Sequence, residues 1–303
     1  MDNRKYNGKV ILFGEYSMIF GSNALLIPYY SVSGEWSSII NRPCERGIES
    51  NRNLFKYFDY LRENDRFRIL DLRRMEMELN AGLFFDSNIP TGYGVGSSGA
   101  LVAAIYDRFK LVEIKETDRL IEFLAAMENY FHGSSSGIDP LQCYFGKPFV
   151  LNGQRTTDNG QQILSNDFMS DDIHIFLIDT KITSPTAPLV NIFKERRKDN
   201  IYLDKFNNRY VPLVNDCISS LIEKNDNGFF NNVSLLSKMQ TEMLGHTIPE
   251  NVKEFFFFDI NKDGFQIKLC GAGGGGFLLG FTNDIEKTNK YWQKTEYQIH
   301  WVK

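Results

Sequence analysis

Cysteine and histidine are scarce, with four of each in 303 residues. The cysteines (Cys44, Cys143, Cys217 and Cys270) never form a Cys-x-x-Cys pair, and no His-Glu-x-x-His occurs. A structural zinc site, a disulfide framework and a zincin helix are therefore not expected, and a reducing cytoplasm suits the chain. Long apolar runs are missing too. The two charge-free stretches, residues 16–34 and 87–106, are broken by Gly, Pro, Ser and Asn at a density that a membrane-spanning helix disfavours. No basic end, apolar run and small-residue cleavage site follow one another near residue 1, so no secretory signal is expected. Basic excess is absent: 34 Lys and Arg stand against 38 Asp and Glu, a net charge of −4. That leaves no footprint for a nucleic-acid backbone. No repeat of solenoid or propeller period occurs.

What is present is an ordinary globular composition, 42% apolar and 24% charged. The length suits two domains of roughly 150 residues. A polar segment near residues 154–172 marks a boundary, giving domains 1–165 and 166–303. Strands are predicted at residues 9–13, 25–30, 67–72 and 75–79, then helices at 97–112 and 117–131, with Thr117 as cap and Gly133 as stop. The second part predicts a strand at 173–179, helices near 189–198, 211–223 and 232–244, and two apolar runs at 267–270 and 277–281. A helix and a strand close the chain. The four phenylalanines at 255–258 read as core. This order of strands and helices predicts an α+β fold.

Four segments carry chemistry. Pro90-Thr-Gly92-Tyr-Gly94-Val-Gly96-Ser97-Ser98-Gly99-Ala100 leads into a helix. Glycines let the backbone turn with positive φ, and a helix start offers free N–H groups and the positive end of its dipole. The segment is a phosphate cradle, and the Ser97 and Ser98 hydroxyls can hold a phosphate oxygen or a magnesium ion. In Glu128-Asn-Tyr-Phe-His132-Gly-Ser-Ser-Ser-Gly-Ile-Asp139, two acids flank a small-residue turn, a pairing suited to magnesium binding and proton acceptance. Lys268-Leu-Cys-Gly-Ala-Gly273-Gly274-Gly-Gly-Phe277 places five glycines in six positions between apolar strands. That entropy cost is explained by backbone pressed against backbone or phosphate. In Gly8-Lys9-Val-Ile-Leu-Phe-Gly14-Glu15-Tyr16, a lysine opens an apolar strand, where it is expensive unless it points into a site or to solvent.

Three formal matches fail on context. Gly94-x-Gly96-x-x-Gly99 fits the dinucleotide fingerprint, but Pro90 and Thr91 interrupt the strand that motif requires. The Walker A loop requires a lysine that is absent here. Gly133-x-Ser135-x-Gly137 has the form of a nucleophile elbow, with His174, His246 or His300 as partners, yet a helix precedes it where a strand is required.

Taken in order, the segments GKVILFGEY, PTGYGVGSSGA and KLCGAGGGGF resemble the GHMP kinase superfamily over nearly the whole chain. The stretch from His132 to Asp139 and the segment from Asp179 to Thr186 look most like its mevalonate kinase branch. Gly-Glu-Tyr at 14–16 is nearer the phosphomevalonate kinases, and Gly99 stands where Ala is usual. The resemblance implies an N-terminal domain like ribosomal protein S5 domain 2 and a ferredoxin-like C-terminal domain. It implies an ATP- and Mg2+-dependent small-molecule kinase, with mevalonate the leading acceptor. Phosphomevalonate, a sugar, or nucleotide sensing without catalysis are the alternatives. Arg73, Arg74, Lys181 and Arg196 are the cations that a second phosphate on the acceptor would call on. By resemblance, ATP lies in a cleft with its phosphates over residues 90–99. Ser98 and Glu128 would ligate magnesium, and Asp139 would accept or orient the acceptor's proton. Lys9 would hold Asp139 as a carboxylate. Glu15, Tyr16, His132, Thr186, Gly273 and Gly274 would face the substrate. No nucleic-acid or membrane partner is implied, and a homodimer is compatible with it.

Overall fold

The computed structural model describes residues 4–41, 44–153, 161–183 and 186–302, with no side-chain detail at residues 186–187. Two compact units emerge. The first comprises Met1–Lys9, Pro28–Thr91 and Val95–Gly146; the second comprises Val10–Ile27, Gly92–Gly94 and Lys147–Lys303. Two strands, β1 (Tyr6–Phe13) and β2 (Ala24–Ser38), run through both. The class is α+β, as expected.

In the first unit β2 is followed by α1 (Glu45–Arg62), α2 (Leu72–Asn80), β3 (Leu83–Ser87), α3 (Ser97–Phe109), α4 (Thr117–His132) and α5 (Ile138–Phe145). The far end of β2 pairs antiparallel with β3, from Gly34 opposite Ser87 to Ser38 opposite Leu83. Helix α3 is the hub. Ala100, Val102, Ala103, Ala104, Ile105 and Tyr106 are all fully buried, so it is apolar nearly all round, as a central helix must be.

The second unit continues with β4 (Phe149–Leu151), β5 (Gln161–Ile163), β6 (His174–Asp179), α6 (Thr186–Arg196), α7 (Asn200–Lys205), α8 (Val211–Ile222) and α9 (Asp226–Met243). Then come α10 (Ile260–Asp263), β7 (Phe265–Leu269), β8 (Phe277–Thr282), α11 (Ile285–Trp292) and β9 (Gln298–Trp301). The start of β2 pairs with β4, which pairs with β5. A second, antiparallel sheet has the order β7-β8-β6-β9. Every residue of β7 and β8 is buried, which is why these strands read as apolar runs without alternation. Phe13 stacks on Phe281 at 5.7 Å between ring centroids, fixing the end of β1 in this core.

Several expectations need correction. Residues 67–72 and 75–79 are not strands. A short 3-10 turn ends at Phe67, and α2 starts at Leu72 with its first turn capped by the Asp71 carboxylate. The alternation of Met75, Met77 and Leu79 suggested a strand. Met77 is 65% exposed while Met75 and Leu79 are buried, so the true spacing is four. Helix α3 stops at Phe109, short of residue 112, and Leu111 and Val112 are exposed. Glu116, not Thr117, occupies the cap position of α4, while Gly133 ends that helix in the left-handed conformation as expected. Phe255 and Phe256 are core, but Phe257 is exposed. Helices α1 and α5 were not anticipated. Among the described residues no helix is long and apolar enough to cross a membrane.

Helices α3 and α5 approach so closely that a Cβ on Gly99 would lie 2.9 Å from the backbone carbonyl carbon of Asp139. Alanine, the usual residue at this point of the motif, does not fit here without moving α5. We expect Gly99→Ala to cost about 1–3 kcal/mol, the usual penalty of overpacking. Urea unfolding checks this, and an unchanged midpoint would show that α5 yields freely.

Candidate active site

The site residues of the first unit gather around the start of α3. Gly96 caps that helix with φ of 84°, and the Lys9 backbone N–H donates to the Val95 carbonyl at 2.9 Å, tying the loop to β1. Gly92 and Gly94, which belong to the second unit, also have positive φ, and among the described residues nothing lies within 4 Å of where a Cβ on either would sit. In the first unit, the left-handed turn at Gly96, followed by the free N–H groups of a helix start, makes a cradle for an anion. Pro90 is half-buried in the same loop, and Ser97 and Ser98 form the first turn of α3.

Lys9 resolves its burial by pointing into this site. It is 3% exposed, and its Nζ lies 2.8 Å from Asp139 Oδ2. The Asp139 side chain keeps 37% of its surface exposed, so the pair is closed at the ammonium and open at the carboxylate. Asp139 is the second residue of α5, held there by Gly137. At φ of 73° with the Ile121 carbonyl oxygen 2.2 Å from a would-be Cβ, no other residue fits position 137.

Glu128, buried on α4, accepts hydrogen bonds from both neighbouring serines. Ser98 Oγ is 2.8 Å from its Oε1, and the Ser135 hydroxyl donates to its Oε2. Ser98 Oγ also lies 2.9 Å from His132 Nε2. Burial, reinforced by the Asp139 carboxylate, pushes the Glu128 carboxyl up to about 7 despite the two serine hydrogen bonds. A buried carboxylate with a hydroxyl at 2.8 Å is an all-oxygen donor set of the kind Mg2+ takes. Among the described residues no group of three or more His, Cys, Asp and Glu could hold a metal. Mg2+ commonly uses one or two protein ligands and completes its shell with phosphate and water, so these residues fit it. Ser135, the formal nucleophile, follows a helix and is committed to Glu128.

Beside this lies a cleft of about 520 Å³, bordered by Thr91 and Ser97 of the loop, Ser50 and Asn53 of α1, and Tyr130 and Phe131 of α4.

The remaining predicted residues lie in the second unit. Glu15 is 6% exposed; its Oε1 accepts from Lys268 Nζ and, at 3.2 Å, from Gln240 Nε2. Burial raises its pKa, with Lys268 opposing. Gln240 also accepts the Leu269 backbone N–H at 2.9 Å and donates to the Tyr210 hydroxyl at 3.1 Å. Tyr16 sits at φ of 62°, and its hydroxyl donates to the Ala272 carbonyl at 2.7 Å. Its phenol is raised by burial. The glycine loop is pressed against backbone, as its composition suggested. The Gly274 N–H donates to the Thr247 carbonyl and the Gly276 N–H to the Ile182 carbonyl, while the Thr180 hydroxyl donates to the Gly276 carbonyl. A Cβ on Gly273 would lie 2.5 Å from the Thr247 oxygen, and one on Gly276 would lie 3.1 Å from the Tyr93 backbone. Thr186 opens α6, but its side chain lies outside the described residues.

Sequence reasoning missed Ser135, Lys268 and Gln240. Lys268 carried the same signal as Lys9, a lone lysine inside an apolar strand. Ser135 was hidden by its resemblance to a hydrolase motif. Gln240 gave no signal, since a glutamine on a helix is ordinarily solvated.

Residues 57–147 match the model of the GHMP kinases N terminal domain. The chain is 24% identical over 289 residues to the mevalonate kinase of Archaeoglobus fulgidus, spanning 90% of this chain and 89% of that one. Its fold matches that of the L. major mevalonate kinase in complex with R-mevalonate, with a TM-score of 0.68 at 15% identity over 100% of this chain and 96% of that one. The Streptococcus pneumoniae phosphomevalonate kinase matches with a TM-score of 0.65 at 16% identity, over 99% and 98% of the respective chains.

Glu128 yields a test that needs no substrate. Between its ordinary value of 4.5 and about 7, the folded chain holds a proton there that the unfolded chain has released. Its contribution to stability therefore falls as pH rises through that window, and levels off above it. We expect Glu128→Gln, in cation-free buffer, to gain about 1–3 kcal/mol on the wild type between pH 5 and pH 8. Urea unfolding at the two pH values measures it. A difference that does not change with pH would mean that Glu128 titrates normally.

Proposed function

We propose that the chain is a phosphotransferase of the GHMP kinase superfamily, whose N-terminal domain model matches residues 57–147, and that it is an ATP- and Mg2+-dependent kinase whose leading acceptor is mevalonate. One observation carries the reading. The hydroxyl and carboxylate that suit a magnesium ion, and the ion-paired carboxylate that suits a proton, are anchored to one helix start by the Gly99–Asp139 contact. Phosphoryl transfer requires little beyond such positioning and charge neutralisation.

In the reaction proposed, the phosphates rest on the loop from Pro90 to Gly99, against the backbone amides of Gly92, Gly94, Gly96, Ser97 and Ser98. The cleft beside Thr91 and Ser97 takes the nucleotide base, with Tyr130 and Phe131 as aromatic walls and Asn53 and Ser50 as polar ones. Ser98 and Glu128 would hold the magnesium ion, whose charge would offset that of the nucleotide's phosphates. The acceptor hydroxyl oxygen attacks the γ-phosphorus, the bond from that phosphorus to the bridging oxygen breaks, and ADP leaves. Asp139 takes the hydroxyl proton, for which its exposed side of the ion pair leaves access. Lys9 holds the Asp139 carboxylate at 2.8 Å and offsets charge on the group in transfer. Glu15, Tyr16, Thr186, Gly273 and Gly274 are proposed for the acceptor side. His132 takes a different role, argued below.

Mevalonate is preferred to phosphomevalonate because three of the four cations considered for a second phosphate are already engaged. Arg74 pairs with Glu78, Lys181 donates to the Glu296 carbonyl, and Arg196 donates to the Met243 carbonyl. The proposed setting is the cytoplasm.

The test is ADP release from magnesium-ATP with mevalonate, phosphomevalonate, galactose or homoserine, run beside Asp139→Asn. We expect release with mevalonate and a fall in turnover of at least about a hundredfold in the variant, in line with general-base contributions. Turnover with phosphomevalonate or galactose alone would keep the mechanism and replace the acceptor. Near-normal turnover in a folded Asp139→Asn would remove that residue from the proton's path. Tight ATP binding without turnover on any acceptor would favour a sensor.

A further inference from the structure

We propose that His132 is a positioning residue for the divalent cation, acting as acceptor of the Ser98 hydroxyl proton, rather than a residue that faces the acceptor substrate. The inference rests on the reading of Ser98 and Glu128 as cation ligands given above. It follows from counting protons and lone pairs around one oxygen. Ser98 Oγ has one proton and two neighbours at hydrogen-bond distance, Glu128 Oε1 at 2.8 Å and His132 Nε2 at 2.9 Å. A hydroxyl donates only once. Without a cation, either neighbour can take the proton, provided the other donates in return.

A bound cation removes that freedom. Glu128 would then serve the cation, while its Oε2 keeps the Ser135 hydroxyl. Ser98 must turn a lone pair to the metal, which drives its proton to the opposite side. His132 Nε2 is the acceptor standing there. His132 therefore orients the Ser98 lone pair and frees Glu128 from competing for the same proton. Its place follows from the helix: His132 lies one turn beyond Glu128 on α4, so both reach the same serine from one face. Gly133 ends the helix immediately afterwards in the left-handed conformation, and Ser135 then folds back onto Glu128. Partners that orient metal ligands typically contribute ten- to a hundredfold in metal affinity.

The variants are His132→Phe, which keeps a ring and loses both nitrogens, and His132→Gln, whose side-chain oxygen can reach near Nε2. Mn2+ serves as the spectroscopic probe, and its binding is read by electron paramagnetic resonance in the presence of a non-hydrolysable ATP analogue. Magnesium dependence of turnover is measured beside it. We expect His132→Phe to weaken Mn2+ binding by about tenfold or more and to raise the Mg2+ concentration for half-maximal rate by a similar factor. Turnover at saturating Mg2+ should largely recover, the KM for the acceptor should hold, and His132→Gln should restore most of the affinity. If wild type binds Mn2+ and His132→Phe binds it equally well, the proposal falls while the cation site stands. A rise in acceptor KM with unchanged Mn2+ affinity also overturns it and returns His132 to the substrate. If Ser98→Ala and wild type bind Mn2+ alike, the reading of the site itself fails.

Discussion

A lysine whose ammonium has been taken out of water is the constraint around which the first unit is arranged. Removing a charge from solvent costs several kcal/mol, and the fold survives only if a partner of opposite sign is held at close range. Lys9 is 3% exposed and has Asp139 at 2.8 Å. Everything that fixes Asp139 therefore also answers for Lys9. Gly137 starts α5 at a backbone angle that no other residue adopts cheaply. Gly99 lets α5 lie directly on α3. Gly96, at φ of 84°, leaves room for the lysine stem, since a Cβ there would come within 2.8 Å of Lys9 Cγ. Three glycines in two separate motifs are thus answers to one electrostatic demand.

The same demand explains why the anion cradle and the acids occur together. Because α3 must meet α5 to place Asp139, the first turn of α3 carries Ser98 to the end of α4, where Glu128 and His132 already lie. The Lys9 ammonium is 2.8 Å from Asp139, whereas the contacts of the Glu128 carboxylate are serine hydroxyls. Burial and the neighbouring acid both favour its neutral form, and two serine hydroxyls and the more distant charge of Lys9 support the charged one. The two carboxylates are chemically alike and set apart by their partners: an ammonium for Asp139, two hydroxyls for Glu128.

How much of this was legible depended on whether the signal was local. The glycine motifs were readable because positive φ and close approach leave a mark in composition, and the backbone-on-backbone packing of residues 273–276 agrees with that reading. The cost of a lysine in an apolar strand was readable at Lys9, and the same argument applied to Lys268 would have found the partner of Glu15. Helix α1 has Leu54, Tyr57, Phe58 and Leu61 buried at helical spacing, a pattern present in the sequence though masked by the charges around it. Residues 75–79 misled because two periods fitted equally well until the exposure of Met77 decided between them. The aromatic cleft was not legible. It is assembled from α1, the loop at Thr91 and the end of α4, and no local pattern says that these segments meet. Gln240 was hidden for the same reason: its partners, Glu15, Tyr210 and Leu269, come from three distant elements.

The second unit solves its own buried lysine differently, and the contrast bears on which acid can react. Lys268 is fully buried and Glu15 nearly so, with Gln240 bridging the carboxylate to the Tyr210 hydroxyl and the Leu269 amide. That pair is closed at both ends. Its carboxylate is raised by burial, and among the described residues its second oxygen has no partner, so the fold bears a desolvation cost there. A proton reaching Glu15 from a reactant would have to enter a packed interior, since the side chain is 6% exposed. Asp139 needs no such opening, because its ion pair is buried only on the lysine side. Two ion pairs built from the same residue types are therefore not interchangeable. The closed one fixes the loop that follows β1, and the open one leaves a carboxylate whose charge is set from behind and whose front is available for a proton.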